Sequence, residues 1–148
     1  LAYKYYFPKS FDFFLYTNPT FFNDFYYSSK IFSFGNILIF NMDNKGNLSW
    51  VKNIEKNQRA PEKNSFLSYS SMITDRKIQF LFNRAYESDP LLDARSIDGN
   101  GHIERNNALF NLARGHLLAP KLGQQVSATE ILIPWVERNK FGFAKIEF

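Results

Sequence analysis

The sequence contains no cysteine, so disulfide bonds, thiolate metal sites and a cysteine nucleophile are all excluded. It also lacks any run of about 18 or more apolar residues, the length that a membrane-spanning helix requires. Histidine occurs only at His102 and His116, whose separation matches no metal-ligand spacing. From these absences we predict no transmembrane segment, no metal site and no bound cofactor.

Charge of one sign is not concentrated anywhere in the chain. The 18 basic and 14 acidic residues give a net charge of +4, and they interleave from Lys4 to Lys145. A nucleic-acid-binding arm would need a block of about five or six like charges, so we expect no nucleic-acid partner. The densest basic cluster is diluted by Glu55 and Glu62 and is predicted to be a solvated loop; it comprises Lys52, Lys56, Arg59 and Lys63.

Aromatic residues are abundant and unevenly placed. Of the 17 Phe and 8 Tyr, ten Phe and six Tyr lie in residues 1–42. Such side chains suit half-buried strands, and they supply either core or exposed binding surface. We favour the core interpretation for most of them. The composition divides the chain into an aromatic-rich segment, residues 1–35, and a β-repeat domain, residues 36–148.

Hydrophobic periodicity predicts an all-β, antiparallel fold with at most one short helix. Expected hairpins pair residues 25–31 with 36–42, 66–74 with 77–83, 91–97 with a strand from 102 onward, and 126–135 with 141–148. After a turn at 43–47, Leu48, Trp50 and Ile54 predict a strand that partners the preceding one. The continuous apolar run 37–40 predicts a strand covered on both faces. Residues 58–64 are predicted to form a polar loop, and residues 106–118 fit either a helix or a strand.

An internal repeat relates two parts of the chain. Residues 37–48 align without gaps on residues 92–103, a shift of 55 residues that places Asp43 on Asp98 and Gly46 on Gly101. A repeat of about this length with four strands is typical of a propeller blade, which cannot bury its faces alone. Propellers carry about four to eight blades, so we expect the chain to be part of a longer polypeptide or to pack against another one.

Two segments resemble known proteins. Residues 42–54, with Asp43, Gly46, Trp50 and Lys52, resemble a blade hairpin of propeller-like envelope proteins of the Bacteroidetes. Residues 121–148 resemble the carboxyl end of uncharacterised proteins of that group. The resemblance covers residues 36–148 and implies an exported protein, periplasmic, outer-membrane-associated or at the cell surface, with no catalytic residues to transfer. The pattern from Asp43 to Trp50 is also similar to the Asp-box of sialidase-type propellers, which is a folding device.

Catalytic motifs are not found. The sequence has no zinc-protease, nucleophile-elbow, Walker or dinucleotide pattern. The turn at 98–101 resembles the start of a calcium loop, but Leu109 stands where the bidentate glutamate belongs. The carboxylates of Glu87, Asp89 and Asp93 are interpreted as solvated loop acids rather than an acid/base set. We therefore do not expect an enzyme.

Three functional hypotheses follow. The leading one is a non-catalytic structural or protein-interaction module of a bacterial cell-envelope assembly, bound to another protein chain. Its candidate partner contacts are aromatic residues of the first segment: Phe13, Phe14, Phe21, Phe22 and Phe25. The alternative is a carbohydrate-binding module with Trp50 and Trp135 as stacking platforms. The third is a fragment of a propeller-type glycosidase.

Overall fold

The structure, a computed structural model, describes residues 4–6, 29–61, 64–84, 92–106 and 116–148. Its described elements are strands and one 3₁₀ helix (Pro120–Leu122), which confirms the predicted all-β class. The strands are β1 (Lys4–Tyr6), β2 (Ser29–Phe34), β3 (Ile37–Met42), β4 (Leu48–Ile54), β5 (Gln58–Pro61), β6 (Ser70–Thr74), β7 (Lys77–Asn83), β8 (Leu92–Asp98), β9 (Ile103–Asn106), β10 (Leu117–Leu118), β11 (Gln124–Gln125), β12 (Glu130–Glu137) and β13 (Lys140–Glu147).

These strands form four antiparallel sheets. The N-terminal sheet has the order β1-β2-β5, and the hairpin sheet consists of β3 and β4. The central sheet is a four-stranded meander in the order β6-β7-β8-β9. In the C-terminal sheet, β12 pairs with β13 on one side and with the short strands β10 and β11 on the other.

Three of the four predicted hairpins are confirmed, namely β6–β7, β8–β9 and β12–β13. The strand expected to follow the turn at 43–47 and to partner residues 36–42 is also confirmed, as β4. The hairpin predicted between residues 25–31 and 36–42 is wrong. β2 pairs with β5, and β3 pairs with β4, so the chain changes sheets at Gly35 and Asn36. The side chain of Asn36 accepts a hydrogen bond from the backbone nitrogen of Lys56, which holds this crossing beside the link from β4 to β5.

The polar loop predicted for residues 58–64 is wrong over Gln58–Pro61, which is strand β5. Lys56, Gln58 and Ala60 are all buried, so the segment alternates with the period of a strand. Two of these three inward side chains are polar, and a hydrophobic pattern cannot detect them. Of the ambiguous stretch 106–118, the described ends belong to strands β9 and β10, and residues 107–115 lie outside the described part.

The central sheet is buried on both faces. On one face, Met72, Leu81, Leu92 and Ala94 pack against the C-terminal sheet through Leu118, Ile131, Ile133 and Ile146. On the other face, Phe80, Phe82 and Ile97 pack against Ile37 and Ile54 of the hairpin sheet. Successive residues of a strand point to opposite faces, so β7 and β8 supply both cores. The result is a stack of three layers: hairpin sheet, central sheet and C-terminal sheet.

Two further findings bear on the sequence predictions. Among the described residues, no helix has both the length and the hydropathy that crossing a bilayer requires. Strand β2, which lies in the predicted segment 1–35, pairs with β5 of the predicted domain 36–148. The N-terminal sheet therefore contains strands from both parts of the proposed division.

Candidate functional site

The turn between β3 and β4 is organised by the side chain of Asp43. Its Oδ1 accepts hydrogen bonds from the backbone nitrogens of Lys45 and Asn47, both at 2.8 Å. The Asn47 side chain donates to Oδ2 at 2.8 Å, and the bonds from Asn47 lower the pKa of Asp43. Gly46 completes the turn with φ 85°, a conformation that side-chain-bearing residues rarely adopt.

The turn between β8 and β9 repeats this geometry. Asp98 Oδ1 accepts from the backbone nitrogens of Asn100 and His102, both at 2.9 Å, and Gly101 has φ 79°. The backbone hydrogen bond from His102 lowers the pKa of Asp98. The alignment of Asp43 with Asp98 and of the two glycines therefore corresponds to the same local structure.

Trp50 connects these two repeats. Its indole Nε1 donates to the carbonyl oxygen of Gly99 at 3.1 Å, and a Cβ built on Gly101 would stand 3.0 Å from the ring. Trp50 is half-buried and packs with Ile97 in the core between the hairpin and central sheets. The ring thus has a structural contact, and the prediction that Trp50 stacks on a glycan stays a prediction.

The outward face of the hairpin sheet is apolar and exposed. Because Ile37, Ile39 and Ile54 point toward the central sheet, the alternate positions point away from it. The pairing of Phe40 with Val51 and of Met42 with Leu48 brings these outward side chains together. This surface, called here the hairpin outer face, consists of Leu38, Phe40, Met42, Leu48 and Val51, all exposed. The sequence predicted cover on both faces for residues 37–40, and the described structure covers one.

The outward face of the C-terminal sheet has the same character. Pro134 pairs with Phe143 and Val136 pairs with Phe141, while Ile131 and Ile133 point into the core. The C-terminal outer face comprises Leu132, Pro134, Val136, Phe141 and Phe143, of which Val136, Phe141 and Phe143 are exposed. Large contiguous apolar patches are uncommon on the surfaces of folded monomers, so both outer faces are candidates for contact with a further layer.

Trp135 lies on the inward side of β12. A Cβ built on Gly142, its cross-strand partner, would stand 2.5 Å from the Trp135 ring, and the His116 ring lies with its centroid 4.1 Å away. The ring also packs against the core beneath the C-terminal sheet. Trp135 is half-buried by these contacts, and its predicted role in glycan stacking stays untested.

A buried polar network replaces part of the predicted solvated loop. Lys56 is 7% exposed, and its ammonium group donates to Gln58 Oε1 at 2.9 Å. Gln58 Nε2 donates to the backbone oxygen of Asn83, and Asn83 Nδ2 donates to the carbonyl oxygens of Phe66 and Leu118. Desolvation lowers the pKa of Lys56 to about 8. The network joins the N-terminal, central and C-terminal sheets.

Asp93 is a buried strand residue surrounded by arginines, and not the solvated loop acid that the sequence predicted. Its side chain is 5% exposed, and Arg95 Nη2 lies 3.2 Å from its Oδ2. Arg84 and Arg105 bring further guanidinium nitrogens to 3.6 Å. Because burying a carboxylate without partners is strongly unfavourable, these contacts explain how β8 carries the charge. Glu87 and Asp89 lie outside the described residues.

Within the described part of the chain, no three His, Asp or Glu side chains come together as a metal site. His102 lies near Glu104 in the central sheet, and His116 lies near Glu137 in the C-terminal sheet, so the two histidines do not share a site. The predicted anchors Phe13, Phe14, Phe21, Phe22 and Phe25 lie outside the described residues.

Comparison with known proteins found no matching family model, no matching curated protein and no matching solved structure. What the fold defines is an all-β protein of stacked antiparallel sheets with apolar outer faces.

Proposed function

We propose that the protein is a non-catalytic structural and protein-interaction module whose outer sheet faces dock onto further β-sheets of another protein chain. The observation that carries this proposal is the hairpin outer face. Five apolar side chains are exposed on a two-stranded sheet whose opposite face packs tightly on the central sheet. Burying such a surface is favourable in proportion to its apolar area.

The occupant that fits these faces is a β-sheet layer. Inside the molecule, both the hairpin sheet and the C-terminal sheet bury their inward faces by stacking on another sheet. Extending the stack by one more layer on either side uses the same kind of packing, with sheets about 10 Å apart. A propeller-like arrangement of blades is one such stack, and the repeated Asp–Gly turn and the four-stranded central sheet support it.

Location in the cell envelope, and export to the periplasm, outer membrane or cell surface, rest on the sequence resemblance alone. Fractionation of the source cells with antibody detection tests this part. Recovery of the protein with cytoplasmic markers would contradict it.

Docking is tested by placing a photo-crosslinking amino acid at Phe40 or at Phe143 and irradiating the intact source cells. We expect both positions to give crosslinks to another polypeptide, mapped by mass spectrometry to residues of a β-sheet. Leu122 is the matched control, because it is also an exposed apolar residue but lies in the 3₁₀ helix, outside both outer faces.

The crosslinking experiment has three distinguishable outcomes. Crosslinks from positions 40 and 143 but not 122 support docking. A chain purified at its own 17.4 kDa mass, monomeric and without crosslinks from either face, contradicts it. Crosslinks that map to the same longer polypeptide would show that the neighbouring sheets belong to the parent chain, which replaces the proposed separate partner.

The aromatic anchors of the first segment form a second part of the same proposal. Deletion of residues 1–28 removes strand β1 and the anchors Phe13, Phe14, Phe21, Phe22 and Phe25, but it keeps strand β2 with its partner β5. We expect the shortened chain to melt cooperatively and to lose its partner. Aggregation of the shortened chain by itself would instead assign this segment to the core.

Carbohydrate binding through Trp50 or Trp135 is the second candidate. Trp135 is only half-buried between His116 and the core, and the exposed remainder of its ring is the surface that a sugar would contact. Binding on a glycan array that disappears with Trp135→Ala would support this function, and an array without any binding would remove it. A glycosidase has no support from the arrangement around Asp93, whose carboxylate is paired with arginines.

A further inference from the structure

The two repeats differ in what covers them, although their turns are the same. Met42 and Leu48 of the first repeat align with Ile97 and Ile103 of the second. Ile97 is 2% exposed because the hairpin sheet lies over it, whereas Met42 is 61% exposed. At the turn end of the hairpin outer face, Met42 therefore stands at the position that the next layer covers in the second repeat. Further along the strand, Leu38 and Phe40 align with Asp93 and Arg95.

The same contrast holds at the turn glycines. A Cβ on Gly101 would stand about 3 Å from both Trp50 and Lys52, whereas no atom of the described residues lies within 4 Å of a Cβ on Gly46. Both glycines have a positive φ, so the backbone presents the same surface in each turn. Around Gly46 this surface is open, and around Gly101 it is covered by an indole.

The first repeat also has an equivalent of the carbonyl oxygen that accepts the hydrogen bond from Trp50. Trp50 Nε1 donates to the carbonyl oxygen of Gly99, and the residue of the first repeat that aligns with Gly99 is Asn44. No hydrogen bond to the Asn44 carbonyl oxygen occurs among the described residues. A second indole placed on Gly46 as Trp50 is placed on Gly101 would reach this oxygen.

We propose that the layer that docks on the hairpin outer face is a β-hairpin carrying a tryptophan, whose indole packs on Gly46 and donates to the Asn44 carbonyl oxygen. The inference rests on the proposed docking function and specifies its partner chemistry. The incoming hairpin has the features of the protein's own hairpin sheet, with aliphatic side chains that cover Phe40, Met42 and Leu48 as Ile37 and Ile54 cover the central sheet.

The protein's own β3–β4 hairpin can be used as the probe for this contact, because it carries Trp50. A backbone-cyclised peptide of residues 36–56 contains Trp50 on a closed hairpin, and cyclisation offsets the marginal stability of isolated hairpins. The peptide is titrated into the full-length, ¹⁵N-labelled chain, and the amide signal of Gly46 is followed by NMR. We expect this signal to move upfield as the indole ring current reaches it, while the Gly101 signal stays in place.

Two substitutions test the contact. Among residues with a side chain, asparagine is one of those that adopt a positive φ most readily, so Gly46→Asn keeps the turn and fills the space above it. We expect it to weaken peptide binding by about tenfold or more, as expected for an anchor contact. The same substitution at Gly99, which also has nothing within 4 Å of its Cβ position, should leave binding unchanged. A Trp50→Leu peptide tests the indole without altering the folded chain, and it should bind the wild-type chain equally poorly.

The outcomes separate this inference from the function it rests on. If Phe40→Ser abolishes peptide binding while Gly46→Asn and the Trp50→Leu peptide bind as wild type, the face docks sheets without an indole on Gly46 and the inference is wrong. If the wild-type chain does not bind the peptide, the inference is also wrong, and crosslinking from position 40 still decides the docking function.

Discussion

The indole of Trp50 lies directly over Gly101, with its Nε1 hydrogen bonded to the Gly99 carbonyl oxygen at 3.1 Å. One residue of the hairpin sheet thereby fixes the position of a turn of the central sheet, 49 residues further along the chain. Glycine is required at 101 for two reasons that add: the backbone has φ 79°, and the ring leaves no room for a side chain.

Gly101→Ala should destabilise the protein more than Gly46→Ala. Both substitutions place alanine at a positive φ, which costs about 1–2 kcal/mol. At Gly101 the methyl group also meets Trp50 and Lys52 near 3 Å, and such overpacking adds about 1–3 kcal/mol. Urea unfolding of the isolated chain measures both free energies. Equal losses at the two glycines would contradict the packing contribution of Trp50.

Asp43 should stabilise the fold less at acid pH. Hydrogen bonds from Asn47 hold its pKa below the ordinary value of 3.8, so the contribution is complete above pH 3.8 and is lost as the pH falls through the lowered pKa. The amide oxygen of Asp43→Asn still accepts the two backbone hydrogen bonds made to Oδ1, and the amide does not titrate. Its Nδ2 cannot accept the bond from the Asn47 side chain, which is lost at every pH. We therefore expect the stability advantage of wild type over this variant to shrink as the pH falls below 3.8 and through the lowered pKa of Asp43.

Asn47→Ala serves as the companion to that experiment, because it removes the largest cause of the lowered pKa while leaving the carboxylate in place. The decrease in the free energy of unfolding that is due to protonation of Asp43 should then be smaller. A pH profile of Asp43→Asn that runs parallel to wild type over the acid range would show that the turn carboxylate makes no charge-dependent contribution.

Lys56 should make the protein more stable as the pH rises from neutral. Its pKa is lowered from 10.5 to about 8 by burial, so between these values the folded chain releases a proton that the unfolded chain keeps. The free energy of unfolding therefore increases with pH across this window. Relative to Lys56→Met, wild type should gain stability from pH 8 to pH 10.5.

Lys56→Arg is a second control. In contrast to the uncharged Met variant, it keeps a positive charge throughout this pH range. This variant should lack the increase and should be less stable than wild type at every pH above 8. Chemical denaturation at four or five pH values measures all three proteins, and parallel profiles for wild type and the Met variant would refute the burial of a titrating lysine.

Asn83→Ala should be among the most destabilising polar substitutions in the described chain. It removes the buried donor of two hydrogen bonds, to the carbonyl oxygens of Phe66 and Leu118 at 2.9 and 2.8 Å. The expected loss is about 2–4 kcal/mol, because each such bond contributes about 1 kcal/mol and buried groups lose partners. Asn57→Ala, at an exposed position, should change stability by less than about 0.5 kcal/mol. Similar losses at both positions would argue against the network.

Local sequence signals predicted the local structure well. The Asp–Gly turns and the hairpins β6–β7, β8–β9 and β12–β13 were predicted from residues within a few positions of one another, and the structure contains them. These predictions succeed because a side chain of Asp and the φ of Gly act on their own backbone. The equivalence of Asp43 and Asp98 was predicted in the same way.

Pairing between distant strands was not predictable in this way. β2 was expected to pair with β3, since they are neighbours in the chain, but it pairs with β5. Lys56, Gln58 and Ala60 alternate as the inward residues of a strand do, but two of the three are polar, so a hydrophobic pattern does not detect them. Lys56 and Gln58 obtain their buried hydrogen-bond partners only when the chain folds. The burial of Asp93 depends in the same way on Arg95 of β8, Arg105 of β9 and Arg84, which follows β7.

The sequence by itself determined the all-β class, the turns and most strands, because these depend on side-chain alternation and on backbone preferences over a few residues. The tertiary structure decided which strands pair across sheets, which polar residues are buried, and that the repeated positions Met42 and Ile97 have opposite exposures. Exposure depends on what packs above a residue, and that layer comes from elsewhere in the chain or from another molecule. No local pattern specifies it.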